Sequence, residues 1–399
     1  MLVYFASYVT RINFAVMMVK ICSDMNMEKT ALAIVVTGLT VTYGVGQIIS
    51  GFMGDKIRAE YMIMGGLMIA GLANIAMTFC QSVVLMTVVW CINGFAQAML
   101  WPPIVRLMST HLTDVEYGYA AVRVSWGSSF ATVLLYLVCP LLLYVMNWRA
   151  VMLCCAVLGL GVMVLWRVLY PKLLVDPIAV SKGNEEGKAE KAAAIPLPRF
   201  VYLPVVLIML GILMQGVLRD GVTNWMPFYM QETFGIPEEN AIISTVVLAI
   251  FSVVSFSFFD LLHRRVFKNE VFCSAVIFLA SAICSVVLYF ANAANAPAVV
   301  PMLFMAIIVA CMHGINLMLI TIVPKRFIKS GKVSTYSGIL NAFTYVGAAL
   351  STYGFAALAD AFGWGVTILT WVIVSLVGLL LCLVATPLWR RFRSEYCDR

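Results

Sequence analysis

Apolar stretches of about 20 residues recur along the whole of this 399-residue sequence, separated by short polar loops. A helix of that length crosses about 30 Å of hydrocarbon. In lipid every backbone polar group must be satisfied within the protein, so such a chain can only be helical or a closed barrel. A barrel would alternate apolar and polar residues over short segments, and this sequence does not. Composition agrees, with 63% hydrophobic and 11% charged residues where a soluble protein averages about 25% charged. The expectation is an all-α polytopic membrane protein of twelve spans, near 1–22, 31–53, 61–80, 83–105, 118–144, 149–170, 200–230, 239–260, 271–291, 298–322, 333–358 and 364–387.

The longest interruption, 171–199, contains SKGNEEGKAEKAAA between prolines and reads as a polar linker. It divides the chain into a six-helix half over 1–170 and a second over 200–389, followed by a tail at 390–399. Most of the basic residues behind the net charge of +7 sit in loops between apolar runs, which argues for membrane topology rather than nucleic acid. Basic residues gather after span 2 (Lys56, Arg58), span 8 (Arg264, Arg265, Lys268) and span 10 (Lys325, Arg326, Lys329, Lys332), and in the tail (Arg390, Arg391, Arg393). The opposite loops hold only Lys20, Lys29 and Arg149. The linker and both termini are therefore expected on the cytoplasmic side of an inner (plasma) membrane. The first span meets Arg11 after ten residues and has no basic leader or cleavage site, so the chain is expected to start inside a helix that is normally longer.

The eleven Cys residues lack C-x-x-C spacing, and most lie within apolar runs as small hydrophobes. Three His without acidic clusters argue against a metal site, and no Walker loop or soluble catalytic constellation is present. No cofactor and no enzyme activity are expected. The working partners are the bilayer and a small solute, handled by a monomer.

Two features carry chemistry. The loop GFMGDKIRAEYMIMGG places Asp55 between glycines with Arg58 three residues on, and resembles the signature loop of the major facilitator superfamily. Glycine allows close helix approach, and the Asp/Arg pair can bond to helix ends across the bundle. The second feature is intramembrane charge, which is costly and therefore a functional candidate. Arg11 lies in span 1, Arg123 in span 5, and Arg219 with Asp220 in span 7. Arginines in the first helix of each half suit an anion, because the planar fork donates parallel hydrogen bonds. The alternative is structural pairing, for which Asp220 could serve Arg219. Arg123 sits under two turns from the end of span 5 and could snorkel to the interface. His313, before Gly314 and Asn316, could donate to an anion or carry a proton, or simply bond a carbonyl. Gln47 could line a pocket or tie helices together. Tyr4 and Tyr8 share a face with Arg11 by spacing, and Tyr345 adds a hydroxyl in span 11. Trp225 and Pro227 are expected to mark the outer end of span 7.

Several segments resemble the organophosphate:phosphate antiporters, the glycerol-3-phosphate and hexose-6-phosphate transporters. YFASYVTRINFAVMM is similar to that family's Tyr-x-x-x-Tyr-x-x-Arg-x-Asn-Phe stretch, and NGFAQAMLWPPIVRLM to its W-P-P-x-x-R segment. VLRDGVTNWMPFYMQE is similar to L-R-x-G-x-x-x-W-x-P-x-Y, and VPKR with SGILNAFTYVGAALS also fits. The resemblance implies a twelve-helix fold with substrate at the midplane between halves. It implies phosphate-binding arginines at Arg11 and Arg219, with Tyr4, Tyr8 and Tyr345 nearby. Two positions depart: glycerol-3-phosphate members carry a span-2 lysine where this chain has Gln47, and a span-5 histidine where it has Ser128. Arg123 and His313 are candidates to compensate. The family's first span also extends further upstream.

The implied function is secondary transport of an organic anion, with an organic phosphate exchanged for inorganic phosphate by alternating access. Two alternatives stay open: a proton- or sodium-coupled symporter of an organic carboxylate, with Asp220 or His313 carrying coupling, and a transporter-like membrane sensor.

Overall fold

Capping chemistry in the loops sets the helix ends. Thr113 and Glu116 form a reciprocal capping box at the start of a 32-residue helix, and Asn269 Oδ1 accepts from the amides of Val271 (3.0 Å) and Phe272 (2.9 Å) at the start of another. Asn26 (φ 51°) and Gly235 (φ 64°) close two helices in the left-handed conformation. The computed structural model describes residues 1–27, 29–173, 195–237 and 246–397.

Among the described residues the chain is helical, in the order α1 (Leu2–Met25), α2 (Lys29–Gly54), α3 (Ala59–Met77), α4 (Val83–Ala98), α5 (Trp101–His111), α6 (Asp114–Val145) and α7 (Trp148–Leu173). These are followed by α8 (Tyr202–Phe234), α9 (Val246–Arg265), α10 (Glu270–Ala293), α11 (Val299–Asn316) and α12 (Val333–Phe392). Among the described residues, eleven helical stretches are long and apolar enough to cross a membrane. The last, Val333–Cys397, contains 65 residues, about three bilayer thicknesses at 1.5 Å per residue. Gly363, at φ 77° and ψ 176°, breaks it into two arms, so twelve spans result, as expected.

Span 4, expected over 83–105, lies within one apolar helical stretch, Val83–His111, in which α4 stops at Ala98 and α5 begins at Trp101, with Pro102 and Pro103 in its first turn, where their missing N–H groups are harmless. One local expectation needs correction. Pro227 does not end span 7. α8 runs on to Phe234, so the proline forfeits one ladder bond without stopping the helix. Span 10, expected over 298–322, is found within Val299–Lys325, where a π-helical turn at Leu317–Ile322 follows α11. Most of the expected linker, 174–194, and residues 239–245 of the expected span 8 lie outside the described residues.

Residues 1–195 with 327–339 form one compact unit. Its apolar core gathers Phe14, Met17, Trp90, Trp148 and Met152. α2 meets α4 closely because Gly94 carries no Cβ, which would otherwise strike Thr42 and the Leu39 carbonyl. The rest of the chain, 196–326 with 340–399, forms the second unit. There Gly216 of α8 lies directly on the backbone of Thr344 in α12. In both units large apolar side chains such as Phe52, Leu137, Phe258 and Leu380 face outward while Asn13, Asn74, Gln97 and Gln215 are buried. That inversion is what a lipid solvent selects.

Candidate functional site

In the first unit, α1 presents two adjoining faces with different work. Ser7, Thr10 and Asn13 lie on a buried polar face. Ser7 Oγ donates to Gln97 Oε1 (2.6 Å), and Gln97 Nε2 donates to Thr10 Oγ1 (2.9 Å). The Thr10 carbonyl accepts from Asn74 Nδ2 (2.8 Å) and Asn93 Nδ2 (2.9 Å), and Asn13 Nδ2 donates to Asn74 Oδ1 (2.7 Å). Bonds to α3 and α4 thus fix the rotation of α1 about its own axis. That rotation aims the neighbouring face, where Tyr4, Tyr8 and Arg11 follow at i, i+4 and i+7.

The Arg11 guanidinium carbon lies 4.2 Å from the Tyr8 ring centroid and 4.7 Å from that of Tyr43 on α2. Cation–π attraction offsets part of the cost of holding this charge in a membrane span. A guanidinium is planar and carries its N–H donors in that plane. Tyr4 extends the cluster, 5.2 Å from Tyr8 and 4.9 Å from Trp101. The tyrosines therefore share a face with Arg11, as their spacing implied. Tyr43 and Trp101 were not anticipated. One signal was available for Tyr43, one turn before Gln47, and one for Trp101, in the W-P-P segment.

The remaining first-unit candidates sit elsewhere. Gln47 is fully buried and its Nε2 reaches the Ala98 carbonyl at 3.5 Å. It ties α2 to the end of α4, the second of the two roles its sequence position allowed. Ser128 is half-buried and donates to the Ser125 carbonyl one turn back (2.7 Å). Arg123 is exposed.

The signature loop behaves as expected for its aspartate and not for its arginine. Asp55 accepts from the amides of Ser334 (2.8 Å) and Thr335 (2.9 Å), in the first turn of α12. A carboxylate there satisfies orphan N–H groups and complements the helix dipole. Burial pushes the Asp55 carboxyl up, while the Thr335 and Ser334 bonds and Arg106 pull it down. Arg58 does not reach a helix end; it pairs with Glu60 at 2.7 Å. Arg106 of α5 holds the loop instead, donating to the carbonyls of Gly54 (2.6 Å) and Ile57 (3.3 Å).

In the second unit, Arg219 of α8 forms a two-bond fork with its neighbour Asp220: Nε to Oδ1 at 2.8 Å and Nη2 to Oδ2 at 2.9 Å. One turn earlier, Gln215 is fully buried, donating to the Met312 carbonyl (3.1 Å) and accepting from Thr344 Oγ1 (3.4 Å). This amide links α8 to α11 and α12 and orients the turn bearing Arg219, much as Gln97 orients α1. It went unread in the sequence, though an amide four residues before an arginine was the available cue. Tyr345, next to Thr344, is half-buried. His313 is half-buried with its ring edge on Phe256 (centroids 5.4 Å apart), immediately before the π turn. Such turns gather at functional positions.

The first helix of each unit thus carries an arginine within a membrane span, Arg11 in α1 and Arg219 in α8, beside a buried amide network. The chain is 24% identical over 414 residues to a "Probable hexose phosphate transport protein" of Chlamydia pneumoniae, covering 97% of this chain and 89% of that protein. It is 24% identical over 385 residues to the "Glycerol-3-phosphate transporter" of Bacillus subtilis, covering 90% and 85%. It is 25% identical over 248 residues to the "Membrane sensor protein UhpC" of Escherichia coli, covering 58% and 56%. Among solved structures, the proton:xylose symporter XylE superposes with a TM-score of 0.74 at 13% identity, covering 99% of this chain and 94% of that one. A bacterial homologue of the iron transporter ferroportin gives 0.71 at 11%, covering 99% of each. At such identities these two speak for the fold alone. The model of the Major Facilitator Superfamily matches residues 1–352, and with twelve spans already counted, the chain belongs to that superfamily of membrane transporters.

Proposed function

We propose that this protein exchanges an organic phosphate for inorganic phosphate across the plasma membrane by alternating access, with Arg11 and Arg219 as the anion ligands. The observation that carries the reading is the fork between Arg219 and Asp220. Two parallel charge-assisted bonds to a pair of oxygens are the geometry in which a guanidinium holds phosphate. Asp220 occupies that geometry in the structure, and an incoming phosphate competes for it. The relatives named for hexose phosphate and glycerol-3-phosphate support the same substrate class. Each six-helix half contributes one arginine. Tyr4, Tyr8, Tyr43 and Tyr345 flank the anion, and both termini face the cytoplasm.

Exchange follows from charge. Arg11 and Arg219 against the one carboxylate of Asp220 leave a net positive charge, and dehydrating it without a substrate anion is costly, so the empty carrier resists closure in either direction. Bound phosphate neutralises that charge and permits closure. Counterflow of labelled phosphate into proteoliposomes preloaded with phosphate or hexose 6-phosphate tests this, and robust uptake without internal anion would overturn obligate exchange. A second reading draws on the similarity to the sensor UhpC: an anion-binding receptor that does not transport. Saturable phosphate binding with no counterflow would favour it.

A further inference from the structure

Two basic clusters singled out in the sequence, after span 8 and in the tail, are not used by the transport reading. In the second unit they meet. Lys268 and Asn269 of the α9–α10 loop face Arg390 and Arg393 at the end of α12 around a surface cavity of about 450 Å3. Val266, Phe267 and Phe272 supply its apolar wall.

The cavity is held in shape from beneath. Glu270 is fully buried and receives Arg326 Nε (3.0 Å), Arg393 Nη1 (2.9 Å) and Trp389 Nε1 (3.0 Å). Arg393 also donates to the Lys268 carbonyl (2.8 Å), which ties the tail to the loop. One carboxylate thus anchors two arginines and leaves Lys268 and Arg390 as exposed cations on the rim. Arg390 is braced over the Phe272 ring at 5.7 Å. Asn269 Nδ2, in the cavity wall, is buried without a hydrogen-bond partner among the described residues.

Position decides the ligand. The cavity lies where α9 ends, α10 begins and α12 ends, so it sits at the level of lipid headgroups. Below it α9 exposes Val254, Phe258 and Leu261, an apolar stripe at i, i+4 and i+7 leading up to Val266 at the rim. A cationic pocket above a greasy stripe matches a phosphodiester whose acyl chains run down the protein wall. We propose that this cavity binds the headgroup of an anionic phospholipid. Lys268 and Arg390 neutralise the phosphodiester, Asn269 Nδ2 donates to its oxygen, and the chains lie along α9.

The test uses the full-length protein in nanodiscs of phosphatidylcholine with or without added phosphatidylglycerol. Phosphatidylglycerol is expected to raise the melting temperature, and titration yields its affinity. Lys268→Gln with Arg390→Gln should weaken that affinity about 30-fold, roughly 5-fold per cation. Both residues are exposed and lie outside the Glu270 anchor, so folding is preserved. Lys268→Arg with Arg390→Lys keeps the charges and should restore affinity. Equal behaviour in the two lipids, or an unchanged response in the double Gln variant, overturns the proposal. So does a stabilisation by soluble glycerol phosphate that is lost in the same variant, since the cavity would then serve free phosphate.

Discussion

Asp220→Asn separates a structural ion pair from a substrate-competing one. The asparagine keeps the size and one acceptor oxygen but removes the negative charge. Arg219 and Asp220 have side-chain exposures of 16% and 26%, so solvent screens them only in part. At about 4 Å and an effective dielectric near 20 the attraction is about 4 kcal/mol; a fully exposed pair retains at most about 1 kcal/mol. A value near 2 kcal/mol lies between these limits, equivalent to a ~30-fold change in a dissociation constant. If phosphate displaces Asp220 from the fork, the variant should bind phosphate about 30-fold more tightly, because the competitor is weakened. The apo protein should melt at lower temperature, since Arg219 keeps its charge with a poorer partner. Isothermal titration of phosphate, alongside melting curves with and without it, measures both. Phosphate affinity that is unchanged or reduced in Asp220→Asn would refute the competition. Should Asp220 instead carry a coupling proton, the variant would bind substrate yet lose protonophore-sensitive uptake.

Other outcomes follow from the same geometry. Arg11→Lys retains charge but loses the guanidinium that lies over the Tyr8 and Tyr43 rings and the second donor of the fork, so phosphate affinity should fall by about 2 kcal/mol, some 30-fold, in the same titration. Asn74→Leu removes bonds to Thr10, Ala70 and Asn13; at about 0.6 kcal/mol per bond within a membrane this costs about 2 kcal/mol. An unchanged unfolding midpoint in SDS would show that the network does not hold α1. Asp55→Ala uncaps the first turn of α12 and should destabilise the protein by about 1 kcal/mol, read as a lower melting temperature. Ser337→Ala deletes a fully buried hydroxyl that has no partner among the described residues. It should be neutral or stabilising by up to about 1 kcal/mol, and a clear loss of stability would show that the hydroxyl is satisfied.

What could be read from sequence was what neighbours along the chain decide. Lipid forces each backbone to satisfy itself within its own segment, so apolar runs and polar loops were enough to count twelve spans. The i, i+4 and i+7 spacing was enough to put Tyr4, Tyr8 and Arg11 on one face, and the adjacency of Arg219 and Asp220 was enough to suggest their pairing. Partners distant in sequence were decided only by packing. Asp55 was legible as a residue that bonds to a helix end, but its acceptor role toward Ser334 spans 279 positions, and no local pattern encodes that. Arg58 looked like its companion because it lies three residues away; Arg106, from α5, took the place because the fold brings it under the loop. Gln47 could be read as pocket lining or as an inter-helix tie, and its bond runs to the Ala98 carbonyl, while Gln215 passed for an ordinary span residue and bonds across to Met312 and Thr344. An amide carries the same chemistry in either setting. Which face of its helix meets a neighbour is set by glycine contacts such as Gly216 on Thr344, and these exist only once the helices have packed.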